Sequence, residues 1–252
     1  MTKMFGNLTT EGLEETGDRL GGGALLETGV YTGTVKLAYA GKSQISDAQK
    51  VAVHIDINGT EFREDFYVTN RNGENSYQDK RDPKKKHPLP GFSMIDDLCL
   101  VTTGFGLADQ DIEEKVIKLY DFEAKRETPQ NVPVLVDLLN QPITVAIVKQ
   151  TVDKRQKADS GEYVATGETR DENVAEKFFH VDTRRTVTEI KAGIEEATFI
   201  DKWEAKNAGK TRNKSTGGEG RSGAPGAAAR PGVPRAAAPG APQAPKKSLF
   251  GG

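Results

Sequence analysis

The chain has 252 residues, 35% apolar and 29% charged, with a formal net charge of −2. The lone cysteine, Cys99, excludes an internal disulfide framework, and three scattered histidines (His54, His87, His180) exclude a zinc site of ordinary spacing. No apolar run reaches membrane-spanning length and the first residues carry no signal-peptide core, which predicts a soluble cytoplasmic protein without membrane contact.

The net charge hides an asymmetry. Nine of the 35 basic residues but one of the 37 acidic ones lie in 206–252, leaving 26 basic against 36 acidic in 1–205. A body of about −10 thus carries a tail of about +8, a pattern often met in partners of nucleic acid.

In chain order, residues 1–24 read as a polar, glycine-rich arm, with a short helix around Thr10–Leu20. Val30–Tyr39 alternates as a strand, with Tyr31, Val35, Leu37 and Tyr39 on one parity and Thr32, Thr34 and Lys36 on the other. Val51–Ile57 is a second strand. Asn58-Gly59 follows as a type I′ turn, because both residues tolerate positive φ, and Thr60–Thr69 is the partner strand. Next comes DKRDPKKKHPLPGF (Asp79–Phe92), a cationic loop whose three prolines are expected to keep it out of helix and strand. Phe92–Phe105 is predicted to be a short helix capped by Ser93, and Val132–Asn140 a second one closed by Pro142. Ile143–Lys154 reads as a long strand, then a turn-rich loop, then Asn173–Val181. Thr186–Ala192 and Ala197–Asn207 have helical spacing, with Phe199, Ile200 and Trp203 on one face. From Lys206 the Gly/Ala/Pro composition cannot offset the entropy of ordering, which predicts a disordered linker in 206–252.

About five strands broken by short helices, with a large insertion after a hairpin, predict a mainly β domain over 25–205. A five-stranded Greek-key barrel of the OB type suits that pattern; a generic α+β domain is the competing architecture.

No catalytic constellation stands out. Asp96-Asp97, Asp109/Asp111 and Glu113-Glu114 read as solvated charge on polar helix faces or in loops. No phosphate-cradling glycine motif and no GxSxG elbow is present, so neither catalysis nor a cofactor or metal is expected. Nucleic-acid binding requires a cationic track and aromatic faces on which bases stack. The loop region supplies Arg71, Lys80, Arg81, Lys84, Lys85 and Lys86. Lys36, Arg63, Lys149, Lys154 and Arg155 add charge along the strands and their ends. Tyr67 and Tyr77 are stacking candidates, Tyr67 because it shares parity with Arg63. Tyr39 is a third, although its apolar parity also fits the core, as do Phe62, Phe66 and Phe178.

The segments MFGNLTTEGLEE, DRLGGG and LETGVYTGTVKLAYAGKS, with the later FFHVDTRRTVTEIKAG and ATFIDKWEAKNAGKTR, resemble phage-encoded single-stranded DNA-binding proteins over most of residues 4–212. The resemblance implies an OB-fold, binding of single-stranded DNA without base specificity, and a non-catalytic role in phage DNA replication, recombination or repair in the bacterial host cytoplasm. Bacterial proteins of like function end in an acidic tail with an apolar tip that docks replication proteins and competes with DNA. Here the tail is basic but keeps Leu249-Phe250. It could dock such partners or fold back on the acidic body, in which case removing it would admit duplex DNA. An RNA-binding OB module, a phage structural protein that docks neighbours and a metal-dependent nuclease remain alternatives.

Overall fold

The computed structural model describes residues 25–43, 46–121, 124–158 and 163–216. The expected helix at Thr10–Leu20 and the Leu249-Phe250 tip lie outside them.

A meander opens the fold: β1 (Gly29–Lys42), β2 (Gln49–Ile57) and β3 (Thr60–Tyr67), each antiparallel to the next. The expected turn is present, with φ of 52° at Asn58 and 83° at Gly59. Asp56 Oδ1 accepts the Gly59 N–H at 2.8 Å. In β1, Val35 faces Ile55 while Leu37 faces His54, so Lys36 is the extra residue of a β-bulge. The bulge inverts the alternation. Val35 and Ala38 enter the main core, whereas Leu37 and Tyr39 turn to the opposite face, so the single parity read from the sequence holds only up to Val35.

After β3 a two-stranded ribbon, β4 (Ser76–Gln78) and β5 (Lys86–Pro88), leads into α1 (Pro90–Thr103). The prolines therefore do not keep this stretch irregular. Pro88 is the last residue of β5, and Pro90 is at the start of α1, where its missing N–H costs nothing. Leu89, not Ser93, is the N-cap, and it makes no side-chain cap bond. Gly104 ends the helix in the left-handed region at φ 82°. Gly91 lies so close to β3 that a Cβ there would sit 2.2 Å from the Tyr67 carbonyl oxygen.

The next elements depart from expectation. β6 (Ile112–Asp121) and β7 (Arg126–Leu135) form a hairpin, followed by a single 3-10 turn at Val136–Leu138. The predicted helix over Val132–Asn140 is therefore strand and turn, and Pro142 opens a strand instead of closing a helix. Glu113-Glu114 lie on that hairpin's first strand. β8 (Pro142–Lys157) and β9 (Tyr163–Phe179) make a long antiparallel pair, so most of the expected loop before Asn173 is a strand. α2 (Val187–Lys191) and α3 (Thr198–Asn207) follow, and β10 (Arg212–Asn213) adds in parallel to β8. The fold thus continues past residue 205, with Thr216 donating through its N–H to Asp153 at 3.1 Å.

The main sheet runs β3-β2-β1-β8, with β9 beyond β8 and β10 continuing the side of β8 on which β1 lies. β1 is shared between two halves: Gly29–Thr34 pairs with β8, and Thr34–Lys42 pairs with β2. The outer strands β3 and β9 approach without backbone pairing among the described residues. The Phe66 and Phe178 rings are 6.2 Å apart, and Glu64 Oε2 accepts the Ala175 N–H at 2.6 Å. α1 packs on β3 and β9, burying Ile95, Leu98, Cys99 and Val101 in a core with Val53, Ile55, Phe62, Phe66, Val145 and Ile147. On the far side of the sheet, Ile200 and Trp203 of α3 bury Val148 and Phe179. Phe199, expected on that face, sets its ring 6.3 Å from that of Phe179 while staying 41% exposed. A capping box joins Thr186 and Glu189, and the Glu189 carboxylate also accepts the Thr198 and Phe199 N–H groups, which fixes α3 to α2.

Candidate nucleic-acid interface

The cationic ribbon is an excursion from a closed base. Leu89 N–H donates to Asn75 O at 2.8 Å, and Gly91 abuts the Tyr67 backbone, so the chain leaves and re-enters the body at the end of β3. Carboxylates shape its turn from within. Asp79 Oδ1 accepts the N–H groups of Arg81 (2.7 Å) and Asp82 (3.2 Å), and its Oδ2 meets His87 Nε2 at 3.0 Å. The Arg81 N–H, then His87 and the Asp82 N–H, hold the Asp79 carboxyl below the usual carboxylate range. Asp82 in turn accepts the Lys84 N–H at 3.1 Å. Tyr77 stands across from His87 with ring centroids 5.6 Å apart and is 51% exposed.

With the acids so occupied, the cations point to solvent. Arg71, Lys80, Arg81, Lys84, Lys85 and Lys86 are all exposed; only Lys85 has an acidic partner among the described residues, Asp82 at 3.8 Å. The cations expected on the strands differ. Lys36 pairs with Asp56 (3.8 Å), Lys149 with Glu27 (2.7 Å) and Lys154 with Glu168 (2.8 Å). The Glu27 bond raises the Lys149 pKa, and the Lys154 bond lowers that of Glu168. Arg155, exposed on the β8–β9 arm, has no ion-pair partner among the described residues.

On the outer face of β2 and β3, Tyr67 is 47% exposed opposite Lys50, in the orientation its parity predicts. Arg63 lies across from His54 and donates to Tyr39 Oη at 3.3 Å. Tyr39 offers no free ring face. It is 7% exposed, packed with Ala52 and Val134 beside Leu37 of β1 and beneath Ile117 and Leu119 of the folded-over hairpin, so it is a core residue and not a stacking platform. Phe62, Phe66 and Phe178 are core residues, as expected.

The structure thus gathers Tyr77, Lys80, Arg81, Lys84, Lys85 and Lys86 on one ribbon rooted beside Tyr67, with Arg71 in the turn just before it. Lys36, Lys149, Lys154 and Arg155 lie elsewhere on the sheet. Tyr163, 53% exposed and paired with Lys157 on the β8–β9 arm, is an aromatic candidate that sequence reasoning missed, because the arm read as loop. Among the described residues, no group of three or more His, Cys, Asp or Glu side chains could hold a metal ion, and no helix is long and apolar enough to cross a membrane. Burial, reinforced by Asp96, pushes the Cys99 thiol up to about 12, far from a reactive thiolate. Compared with known proteins, the chain matches no protein-family model and no curated protein.

Proposed function

We propose that this chain is a non-catalytic protein that binds single-stranded DNA without sequence preference, through an OB-type barrel and its cationic ribbon. The observation that carries the reading is the ribbon's charge state. Its lysines and arginines reach solvent and are almost all unneutralised, next to the open rings of Tyr67 and Tyr77. A phosphate backbone supplies the missing anions, and flexible single-stranded bases can turn onto the tyrosines. Two further features support the barrel. A three-stranded meander, a helix across one end and a later strand pair on β1 follow the order of an OB-fold. The Glu64–Ala175 contact also lies where such a barrel would close. The resemblance of the sequence to phage single-stranded DNA-binding proteins favours a role in phage DNA replication, recombination or repair.

Fluorescence anisotropy with single-stranded DNA, duplex DNA and single-stranded RNA of one sequence, at several salt concentrations, tests the proposal. Single-stranded DNA is expected to bind tightest, with log affinity falling linearly with log salt. Absence of binding at low salt, or binding indifferent to salt, refutes it. Tighter binding of RNA would move the reading to an RNA-binding module.

A further inference from the structure

The β6–β7 hairpin has no part in the proposed DNA interface, yet its surface is unusual. The inner face is used: Ile117, Leu119 and Val132 cover Tyr39, Ala52 and Val134. The outer face is open, with Ile112 55%, Val116 71% and Tyr120 49% exposed. β6 pairs with β7 along its whole length without a register shift, and with no other strand among the described residues. Edge strands are normally protected by short length, a bulge, a proline or charged side chains, lysine above all. β6 has only the last of these, with Glu114 and Lys118 on its open face.

Its outward side chains are moreover their own complement. The open face reads Ile112, Glu114, Val116, Lys118, Tyr120. When two copies of β6 pair antiparallel about Val116, Val116 meets Val116, Glu114 meets Lys118, and Ile112 meets Tyr120 of the second copy. Directly opposed residues share a face, so all of these pairs form on the open side. Centring the pair on Glu114, Lys115 or Lys118 would set like charges against each other at the axis, and centring it on Ile117 would leave Glu114 against Tyr120 and Lys118 against Val116, so only the Val116 register matches opposite charges. Glu113 and Lys115 pair with one another at 2.7 Å, whereas Glu114 and Lys118 have no ion-pair partner among the described residues.

We propose that β6 is a homodimer seam, in which a second copy of this chain adds its own β6 antiparallel about Val116 and turns two hairpins into one four-stranded sheet. The two-fold arrangement makes the contact self-complementary and closed, so it produces a dimer and not a filament. It needs no nucleic acid, so it stands or falls separately from the DNA-binding proposal.

Sedimentation velocity of the nuclease-treated full chain over a wide concentration range tests it. A reversible monomer–dimer equilibrium is expected. Glu114→Lys alone, or Lys118→Glu alone, replaces both cross-seam pairs by like charges and should raise the dimer dissociation constant roughly tenfold. The double variant E114K/K118E restores opposite charges across the seam and should recover the original equilibrium. Because both positions lie on the open face, unaltered circular dichroism of the single variants separates seam loss from misfolding. A chain that stays monomeric at every concentration overturns the proposal. So does a dimer indifferent to the single reversals, or one that the double swap fails to restore.

Discussion

Glu64 gives the most quantitative prediction. Its carboxylate makes a side-chain hydrogen bond between the outer strands β3 and β9, accepting the Ala175 N–H at 2.6 Å. Burial, opposed by that hydrogen bond and reinforced by Glu172 and Asp65, pushes its pKa from 4.5 up to about 7. In the unfolded chain the same group titrates near its ordinary value. Between roughly pH 4.5 and 7 the folded state therefore holds a proton that the unfolded state has released, and stability falls as pH rises through that window. A shift of some 2.5 units, at about 1.4 kcal/mol per unit, amounts to a penalty of about 3 kcal/mol, complete above neutrality and absent below the unfolded value. Glu64→Gln keeps an acceptor for Ala175 but does not titrate. Urea denaturation of both proteins at several pH values should show a difference that grows by about 3 kcal/mol from pH 4.5 to 8, the variant gaining relative to the parent. Any constant offset from the amide itself is the same at every pH. Parallel pH profiles would refute the reasoning and imply that water reaches Glu64 in the seam.

Three further outcomes are expected. Replacing Lys84, Lys85 and Lys86 together by Ala should weaken DNA binding similarly on dT-rich and dA-rich strands and shallow the log–log salt slope by up to about 0.7 for each phosphate no longer neutralised, as read by anisotropy; an unchanged slope would remove these lysines from the phosphate track. Tyr67→Ala should cost roughly 1–3 kcal/mol of single-strand affinity while leaving the melting temperature nearly unchanged, since the ring is 47% exposed; a large fall in melting temperature would mean that it packs. Gly91→Ala drives a Cβ to 2.2 Å from the Tyr67 carbonyl oxygen, and with backbone on both sides the strain should cost on the order of 1–3 kcal/mol in urea denaturation; parental stability would show that α1 can slide on β3.

The parts legible in the sequence are those governed by local chemistry. Asn58-Gly59 announces its turn because two successive positive φ angles are hard to supply otherwise. Less local features escape. Nothing near Lys36 marks a bulge, since it exists only in the register with β2, yet it sends Tyr39 to the outer face. In β6 the apolar residues fall at 112, 116, 117, 119 and 120, a spacing closer to a helix than to a strand; pairing with β7 and packing on Tyr39 override it. The β8–β9 arm is polar on both faces because neither is buried along much of its length, so the alternation that reveals a half-buried strand is missing. For the site, residue type identified the cationic track, but which cations are neutralised depends on long-range pairs such as Lys149–Glu27 and Lys154–Glu168.

The distribution of acids decides what the cations are for. If the ribbon's lysines served stability, Asp79 and Asp82 would be best placed against their ammonium groups. Their hydrogen bonds instead go chiefly to backbone N–H groups, and Asp79 to His87 as well, so the acids fold the turn and leave the positive charge outside. Such a surface costs self-repulsion unless an anion binds it. The direction of titration fits the same division. With its carboxyl held below the ordinary range, Asp79 keeps the turn in shape at neutral and mildly acid pH, and that contribution is lost only as pH falls through its lowered value. Glu64 runs the opposite way, its seam gaining stability as pH falls from about 7. Over mildly acid pH, then, these two carboxylates act apart: Glu64 tightens the contact between β3 and β9 while Asp79 continues to hold the ribbon's turn.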